Sequence, residues 1–174
     1  TKPEVIFLNY GVYKNVRNAS WQCLIDCKIS VLPTSLSQIC KHFGIKVVGN
    51  SKLTANKLAP GEKAMKTIVN NQCYIIVDDK LSIAVQRYSI AHEIGHILLG
   101  DGEYEAERFA IDVLAPACVL WGLNLHTAED IAHVCNISIP SARIRAERRA
   151  VLYDRNMFLS HPLERKFLVN SKTL

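Results

Sequence analysis

The spacing of apolar residues divides the chain into segments with helical or strand periodicity. Apolar positions three and four apart predict helices over residues 18–29, 35–43, 82–99, 103–114, 128–135 and 140–152. Short continuous apolar runs predict strands over 45–48, 64–69 and 72–77. The two-residue link Asn70-Asn71 joins the last two strands as a β-hairpin. Helices and a hairpin in this order indicate an α+β fold with a small sheet.

The helix predicted over 82–99 has its apolar and histidine positions on different sides. Its isoleucines recur at spacings of seven, four and three, at Ile83, Ile90, Ile94 and Ile97. On a helical wheel this stripe lies roughly opposite His92. The pattern predicts that the isoleucines enter the core and that the histidines of this helix face a cleft.

The strand predicted over 72–77 comes directly before this helix. One position for it is the edge of the cleft, where it would hold an extended peptide by β-augmentation. The other position is the interior of the sheet. The sequence pattern is compatible with both.

Composition indicates one globular domain, or one domain with a small appendage. The chain has 174 residues, of which 49% are hydrophobic. No segment reaches the ~18 consecutive apolar residues of a membrane helix, and the N-terminus lacks a signal-peptide pattern. The six cysteines form no Cys-x-x-Cys pair and lie mostly in apolar stretches: Cys23, Cys27, Cys40, Cys73, Cys118 and Cys135. We therefore expect buried free thiols, a cytoplasmic location and no membrane contact.

The net charge of +5 is concentrated at the C-terminal end. Residues 1–140 hold equal numbers of basic and acidic side chains, whereas residues 141–174 hold eight basic and three acidic ones. Four arginines lie on the helix predicted over 140–152: Arg143, Arg145, Arg148 and Arg149. This segment is either a surface for an acidic partner, nucleic acid or protein, or a solvated basic helix.

Candidate chemistry is concentrated in the pattern His-Glu-x-x-His, formed by His92, Glu93 and His96. Histidines four apart lie one turn above each other on a helix, so that both imidazoles reach a single ion. The intervening glutamate is placed to accept a proton from a water on that ion. This is the pattern of zinc peptidases. The sequence therefore predicts His92 and His96 as Zn²⁺ ligands and Glu93 as the general base.

A catalytic zinc site takes a third protein ligand, which the sequence leaves open. No further histidine completes the motif, and helical geometry does not choose among Glu103, Glu105 and Glu107. Glu105 has one advantage, because it shares a helix face with Asp112, a carboxylate that could support a ligand. Three side chains are candidate donors to the oxyanion of the reaction: Tyr88, Tyr104 and His126.

Two segments resemble the ImmA/IrrE metallopeptidase family. Residues 91–100 are Ala-His-Glu-Ile-Gly-His-Ile-Leu-Leu-Gly, and residues 105–116 follow the pattern Glu-Ala-x-x-Phe-Ala-x-x-x-Leu-x-Pro. In that family the glutamate of the second segment is the third zinc ligand, which the resemblance assigns to Glu105. The chain departs from the family pattern at Asp101, where histidine is frequent, and at Glu107, where asparagine is frequent.

The resemblance implies a minimal zincin-like α+β domain, in which the small sheet packs against the histidine-bearing helix and the C-terminal part is helical. We divide the chain into an N-terminal arm over 1–17, a metallopeptidase core over 18–126 and a basic helical extension over 127–174. The extension has the proportions of a helix–turn–helix.

The function that the resemblance implies is a cytoplasmic zinc-dependent endopeptidase. Its protein substrate would be a helix–turn–helix repressor, and the cut would relieve repression on a mobile element or in a stress response. The alternative is a DNA-binding or protein-docking regulator that uses the four arginines of the extension, with a structural or degenerate metal site.

Overall fold

The computed structural model describes residues 15–154 and 161–170. This part of the chain contains a three-stranded sheet and eight α-helices. The strands are β1 (Lys46–Gly49), β2 (Ala64–Val69) and β3 (Gln72–Val77). The helices are α1 (Val16–Asp26), α2 (Leu36–His42), α3 (Ile83–Leu99), α4 (Glu103–Leu114), α5 (Ala117–Gly122), α6 (Ala128–Cys135), α7 (Ile139–Asp154) and α8 (Pro162–Asn170). Nearly all of the predicted N-terminal arm, over 1–17, lies outside the described residues.

These elements confirm the predicted α+β class. Both hairpin strands, α4 and α6 have the predicted bounds, and the other predicted elements differ by one to three residues at their ends. Two helices were not predicted, α5 and α8. Helix α5 has six residues, so it is too short to show helical periodicity. All six cysteines are buried free thiols, as predicted.

The sheet has the order β1-β3-β2, with β1 parallel and β2 antiparallel to β3. Asn70 and Asn71 both have positive φ, 50° and 62°, as a two-residue hairpin turn of type I′ requires. The central position of β3 decides the question that the sequence left open, because 72–77 is the interior strand. The strand at the sheet edge that packs against α3 is β2.

Helix α3 packs between the sheet and α4. Its core face is formed by Ala91, Ile94 and Leu98, which are buried. The predicted isoleucine stripe is therefore correct at its centre and wrong at its start, since Ile83 is 61% exposed. Ile83 is the first residue of α3, directly after its N-cap Ser82. No helix in the described ranges 15–154 and 161–170 is long and apolar enough to cross a membrane.

Two of the four arginines on α7 are interior side chains. Arg145 is 2% exposed and its guanidinium binds Asp112 Oδ1, while Arg108 Nε donates to Asp112 Oδ2 at 3.1 Å. Arg149 is also buried, with its Nη1 lying 2.9 Å from His126 Nδ1. These contacts fasten α7 to α4 and to the loop before α6. Arg145 and Arg149 are thus not available to nucleic acid in the folded protein, whereas Arg143 and Arg148 are exposed.

Replacing Arg145 by alanine should lower the free energy of unfolding by about 3 kcal/mol, because Asp112 stays buried with one of its two cationic partners gone. Urea unfolding measures this change. The matched control is Arg143→Ala on the same helix, for which we expect a change below about 0.5 kcal/mol, since Arg143 is exposed. Equal decreases in the free energy of unfolding in the two variants would show that the contact of Arg145 with Asp112 does not stabilise the packing of α7 on α4.

Candidate metal centre

Helix α3 presents two imidazoles to one point. The Nε2 atoms of His92 and His96 lie 3.0 Å apart, and the rings are nearly perpendicular at 82°. The four-residue spacing places the histidines one above the other on the helix, as the sequence predicts. Burial and the neighbouring His96 lower the pKa of His92, which favours the neutral imidazole that binds metals.

Glu103 completes a group of three metal-ligating side chains. Its Oε1 lies 3.1 Å from His96 Nε2, and its Oε2 lies 3.4 Å from His92 Nε2. Within the residues that the structure describes, this is the one cluster of at least three histidine, cysteine or acidic side chains with ligand atoms so close together. The three side chains therefore converge on a single point between α3 and the first turn of α4.

A tight link between α3 and α4 produces this convergence. Gly100 ends α3 with φ of +102°, a conformation that residues with a side chain rarely adopt. The same residue orients a histidine, because His96 Nδ1 lies 3.1 Å from the Gly100 carbonyl oxygen. When Nδ1–H donates to this carbonyl, the lone pair of His96 Nε2 points toward Glu103. The link thus sets both the direction of α4 and the tautomer of His96.

The structure departs from the sequence prediction at the third carboxylate, because Glu105 is not part of this group. Glu103 and Glu105 are two residues apart and so lie about 200° apart around α4. Ala106 faces α3, which places Glu103 beside the histidines, whereas the Glu105 carboxylate lies near Gly102. Asp112 also differs from its predicted role, since it binds Arg108 and Arg145 rather than supporting a ligand.

The approach of α4 to α3 depends on Gly95. A Cβ added there would lie 2.9 Å from Ala106 Cα and 3.2 Å from Ala106 O. These are backbone atoms, so α4 itself would have to move. The position of Glu103, three residues before Ala106 on α4, is therefore coupled to the absence of a side chain at position 95.

We expect Gly95→Ala to weaken zinc binding and to lower the free energy of unfolding by about 1–3 kcal/mol, the usual cost of overpacking. Chelator competition and urea unfolding measure the two effects. Gly102→Ala is the matched control, because its added Cβ would meet only the flexible end of the Glu105 side chain. Normal zinc affinity in Gly95→Ala would show that Glu103 does not depend on this close approach.

Glu93 lies on the same helix, at the border between the histidines and β2. Its carboxyl is half-buried, and burial raises its pKa above the usual range. Three groups oppose this shift: the neighbouring His96 ring, and the backbone N–H and ammonium of Lys66. The backbone of β2 therefore faces the carboxyl that the sequence predicts as the general base.

A cavity of about 260 Å³ opens at this border. Tyr88, His92, Glu93 and Glu107 contribute to its lining, together with residues of β2 and of the preceding loop. Of the three candidate oxyanion donors, Tyr88 is the one that lines this cavity. Tyr104 lines a neighbouring cavity, and His126 contacts Asn124 and Arg149. Glu107 was one of the open candidates for the third ligand, and the structure places it on the cavity wall.

The arrangement suits a bound metal ion by the chemistry of its donors. Two imidazole nitrogens and one carboxylate are the protein ligands of a class of catalytic zinc site, which leaves one position for water or substrate. The separations of 3.0–3.4 Å among the facing atoms of His92, His96 and Glu103 place them around one point. His92 Nδ1 is buried and finds no hydrogen-bond partner in the described part of the chain.

The fold and this site are those of a small zincin-like domain, in which α3 and α4 bring together a group of side chains that could hold a metal ion. The model of one protein family, Peptidase_M78, described as the IrrE N-terminal-like domain, matches residues 40–147. The chain belongs to this family of metallopeptidases, which confirms the resemblance seen in the sequence. Comparison with curated proteins and with solved structures gave no match. Together with the cluster of His92, His96 and Glu103, the family indicates a metal cofactor.

Proposed function

We propose that this protein is a zinc-dependent endopeptidase that cleaves a partner transcriptional repressor. One observation supports the catalytic part above all others, namely the convergence of His92, His96 and Glu103 directly beside Glu93. Membership of the Peptidase_M78 family supports the peptidase class. The choice of a repressor as substrate rests on the resemblance to the ImmA/IrrE family.

The proposed ligands of the zinc ion are His92 Nε2, His96 Nε2 and the Glu103 carboxylate. A zinc ion held there would supply a Lewis acid that polarises the scissile carbonyl and makes water a better nucleophile at neutral pH. The hydrogen bond from His96 Nδ1 to the Gly100 carbonyl would keep the His96 ring in its binding orientation.

Glu93 would move the proton. Its carboxylate would accept a proton from the attacking water and later deliver it to the nitrogen of the leaving amine. A half-buried carboxyl suits both tasks, because burial brings its pKa closer to neutrality. The sequence offered three candidate oxyanion donors without choosing among them, and Tyr88, in the same cavity, has the position that fits best.

The peptide would lie along the free edge of β2. Val69 and Gln72 flank the two-residue turn and so form a hydrogen-bonded pair, after which bonded and non-bonded pairs alternate. By this alternation Ala64, Lys66 and Ile68 direct their N–H and C=O groups away from β3. The Lys66 N–H already interacts with the Glu93 carboxyl, so an extended peptide would pair with the other groups of this edge and pass directly beside Glu93.

The test is cleavage of a purified helix–turn–helix repressor from the same organism. The zinc-loaded protein should cut it at one site, identified by mass spectrometry of the two products, and a chelator should stop the reaction until zinc is restored. The zinc-loaded protein could leave the repressor intact and still cut an unrelated unfolded protein. This result would exclude the repressor as substrate but retain the peptidase activity. If the protein binds no zinc after zinc is added and cuts neither protein, both the repressor substrate and the peptidase activity are overturned.

The regulator alternative is weaker than the sequence suggested. Helices α6 and α7 do have helix–turn–helix proportions, with a left-handed turn at Asn136. However, Arg145 and Arg149 are buried, so only Arg143 and Arg148 of the four arginines are exposed for phosphate contacts.

A further inference from the structure

A second cavity adjoins the cleft between α4 and α7. Its volume is about 240 Å³, and it shares two lining residues, Tyr88 and Glu107, with the cavity beside Glu93. A peptide in the cleft would therefore have access to it through one side chain. Ile111 and Ile144 give the second cavity an apolar part that suits the methylene groups of such a side chain.

Cationic groups outnumber anionic ones around this cavity. Arg108, Arg145 and Arg148 contribute to the lining, and Glu107 is the carboxylate among the lining residues. Asp112 lies behind the wall, where its two oxygens bind Arg145 and Arg108. Asp112 is thus already shared between two guanidinium groups, which leaves the third without a carboxylate of its own.

Arg148 is that third guanidinium. Among the residues described by the structure, no carboxylate lies within 4.0 Å of the Arg148 guanidinium, and Arg148 forms no hydrogen bond with them. Arg148 is exposed at the mouth of the cavity, and partial desolvation and the neighbouring Arg108 still lower its pKa, an effect that the charge of Asp112 opposes. Glu107 is exposed on the wall shared with the cleft and forms no ion pair with Arg148. A ligand carboxylate would relieve this imbalance.

We propose that the second cavity is a specificity subsite in which Arg148 binds the side-chain carboxylate of a glutamate or aspartate in the peptide substrate. The proposal rests on the peptidase function and adds the chemical class of one substrate residue. A guanidinium recognises a carboxylate by two parallel hydrogen bonds, which an amide of the same shape cannot reproduce. Glutamine is therefore the natural comparison for glutamate.

The test uses the zinc-loaded full chain and a positional-scanning peptide library, in which each position is set in turn to glutamate, glutamine or lysine. At one position near the cut, glutamate should raise kcat/KM about tenfold over glutamine, mainly through a lower KM. Arg148→Glu should abolish this preference and favour lysine at the same position. Arg143→Glu is the matched control on α7, since Arg143 is exposed and does not line the cavity.

A change of preference from glutamate to lysine shows that Arg148 binds the substrate side chain, because a purely structural role of Arg148 would lower the cleavage of all peptides alike. Cleavage by the wild type without any preference for glutamate would overturn the subsite and leave the peptidase function intact. Should no peptide be cut, cleavage of the repressor still decides the proposed function. The subsite is then tested by comparing, by fluorescence polarisation, how the pooled glutamate and glutamine peptides bind to Glu93→Gln. Equal affinity of the two pools would overturn the subsite as well.

Discussion

Replacing Glu103 by alanine should remove most of the bound zinc, whereas Glu105→Ala should keep about one zinc per chain. Glu103 contacts both histidines, at 3.1 and 3.4 Å, and Glu105 lies on a different face of α4. Loss of a residue that only hydrogen-bonds to a zinc ligand lowers zinc affinity about 10–100-fold, so loss of a ligand itself should lower it more than about a hundredfold. Metal analysis by mass spectrometry, with chelator competition for the affinities, measures the difference.

This pair of variants is its own control, because both remove one carboxylate from the first turn of the same helix. Similar circular dichroism spectra would show that α4 still forms in each. The opposite result, with zinc retained in Glu103→Ala and lost in Glu105→Ala, would restore the ligand implied by the sequence resemblance. It would also require α4 to rotate from the orientation seen here.

Replacing Glu93 by glutamine should preserve zinc binding and lower kcat by a factor of about 10²–10⁴, the usual contribution of a general base. Glutamine has nearly the same shape as glutamate but cannot accept the proton of the attacking water. The side chain is not part of the His92, His96 and Glu103 cluster, so the metal should stay. Single-turnover cleavage of the repressor, with the zinc content determined on the same sample, provides the measurement.

Glu62→Gln gives a control for the loss of a negative charge near the cleft, since Glu62 acts on the pKa of Glu93 only through its charge. Its activity should stay within a few-fold of the wild type. Near-normal activity in Glu93→Gln would remove Glu93 from the reaction. Loss of zinc in that variant would instead show that the residue supports the site structurally.

The elements that sequence analysis placed correctly are those determined by local chemistry. Asn70-Asn71 specifies its hairpin because both residues tolerate positive φ, and the flanking apolar runs fix the strands. Helix α4 begins after Gly102 with acidic residues in its first turn, which stabilise a helix N-terminus. The placement of His92 and His96 on one face followed from their spacing along α3 alone.

The third carboxylate could not be deduced in this way, because it depends on how α4 is rotated against α3. That rotation is set by the contact of Gly95 with Ala106, which involves two different helices. One signal was present in the sequence, since Ala106 and Ala110 lie on the side of α4 nearer Glu103 than Glu105. Small residues on one helix face permit close approach of a neighbour. The burial of Arg145 and Arg149 likewise depends on tertiary contacts, since the partner of each lies more than twenty residues away in the sequence.

The open edge of β2 has a consequence for the protein in concentrated solution. Unpaired N–H and C=O groups accept any extended chain, and Ile68, the penultimate residue of this strand, is 68% exposed. Lys66, held by Asp101 at 2.6 Å, is the charged residue in the middle of the strand, and such charges discourage edge-to-edge pairing. Two copies joined along β2 would bury both proposed substrate grooves at once. Self-association and proteolysis would therefore compete for the same backbone groups.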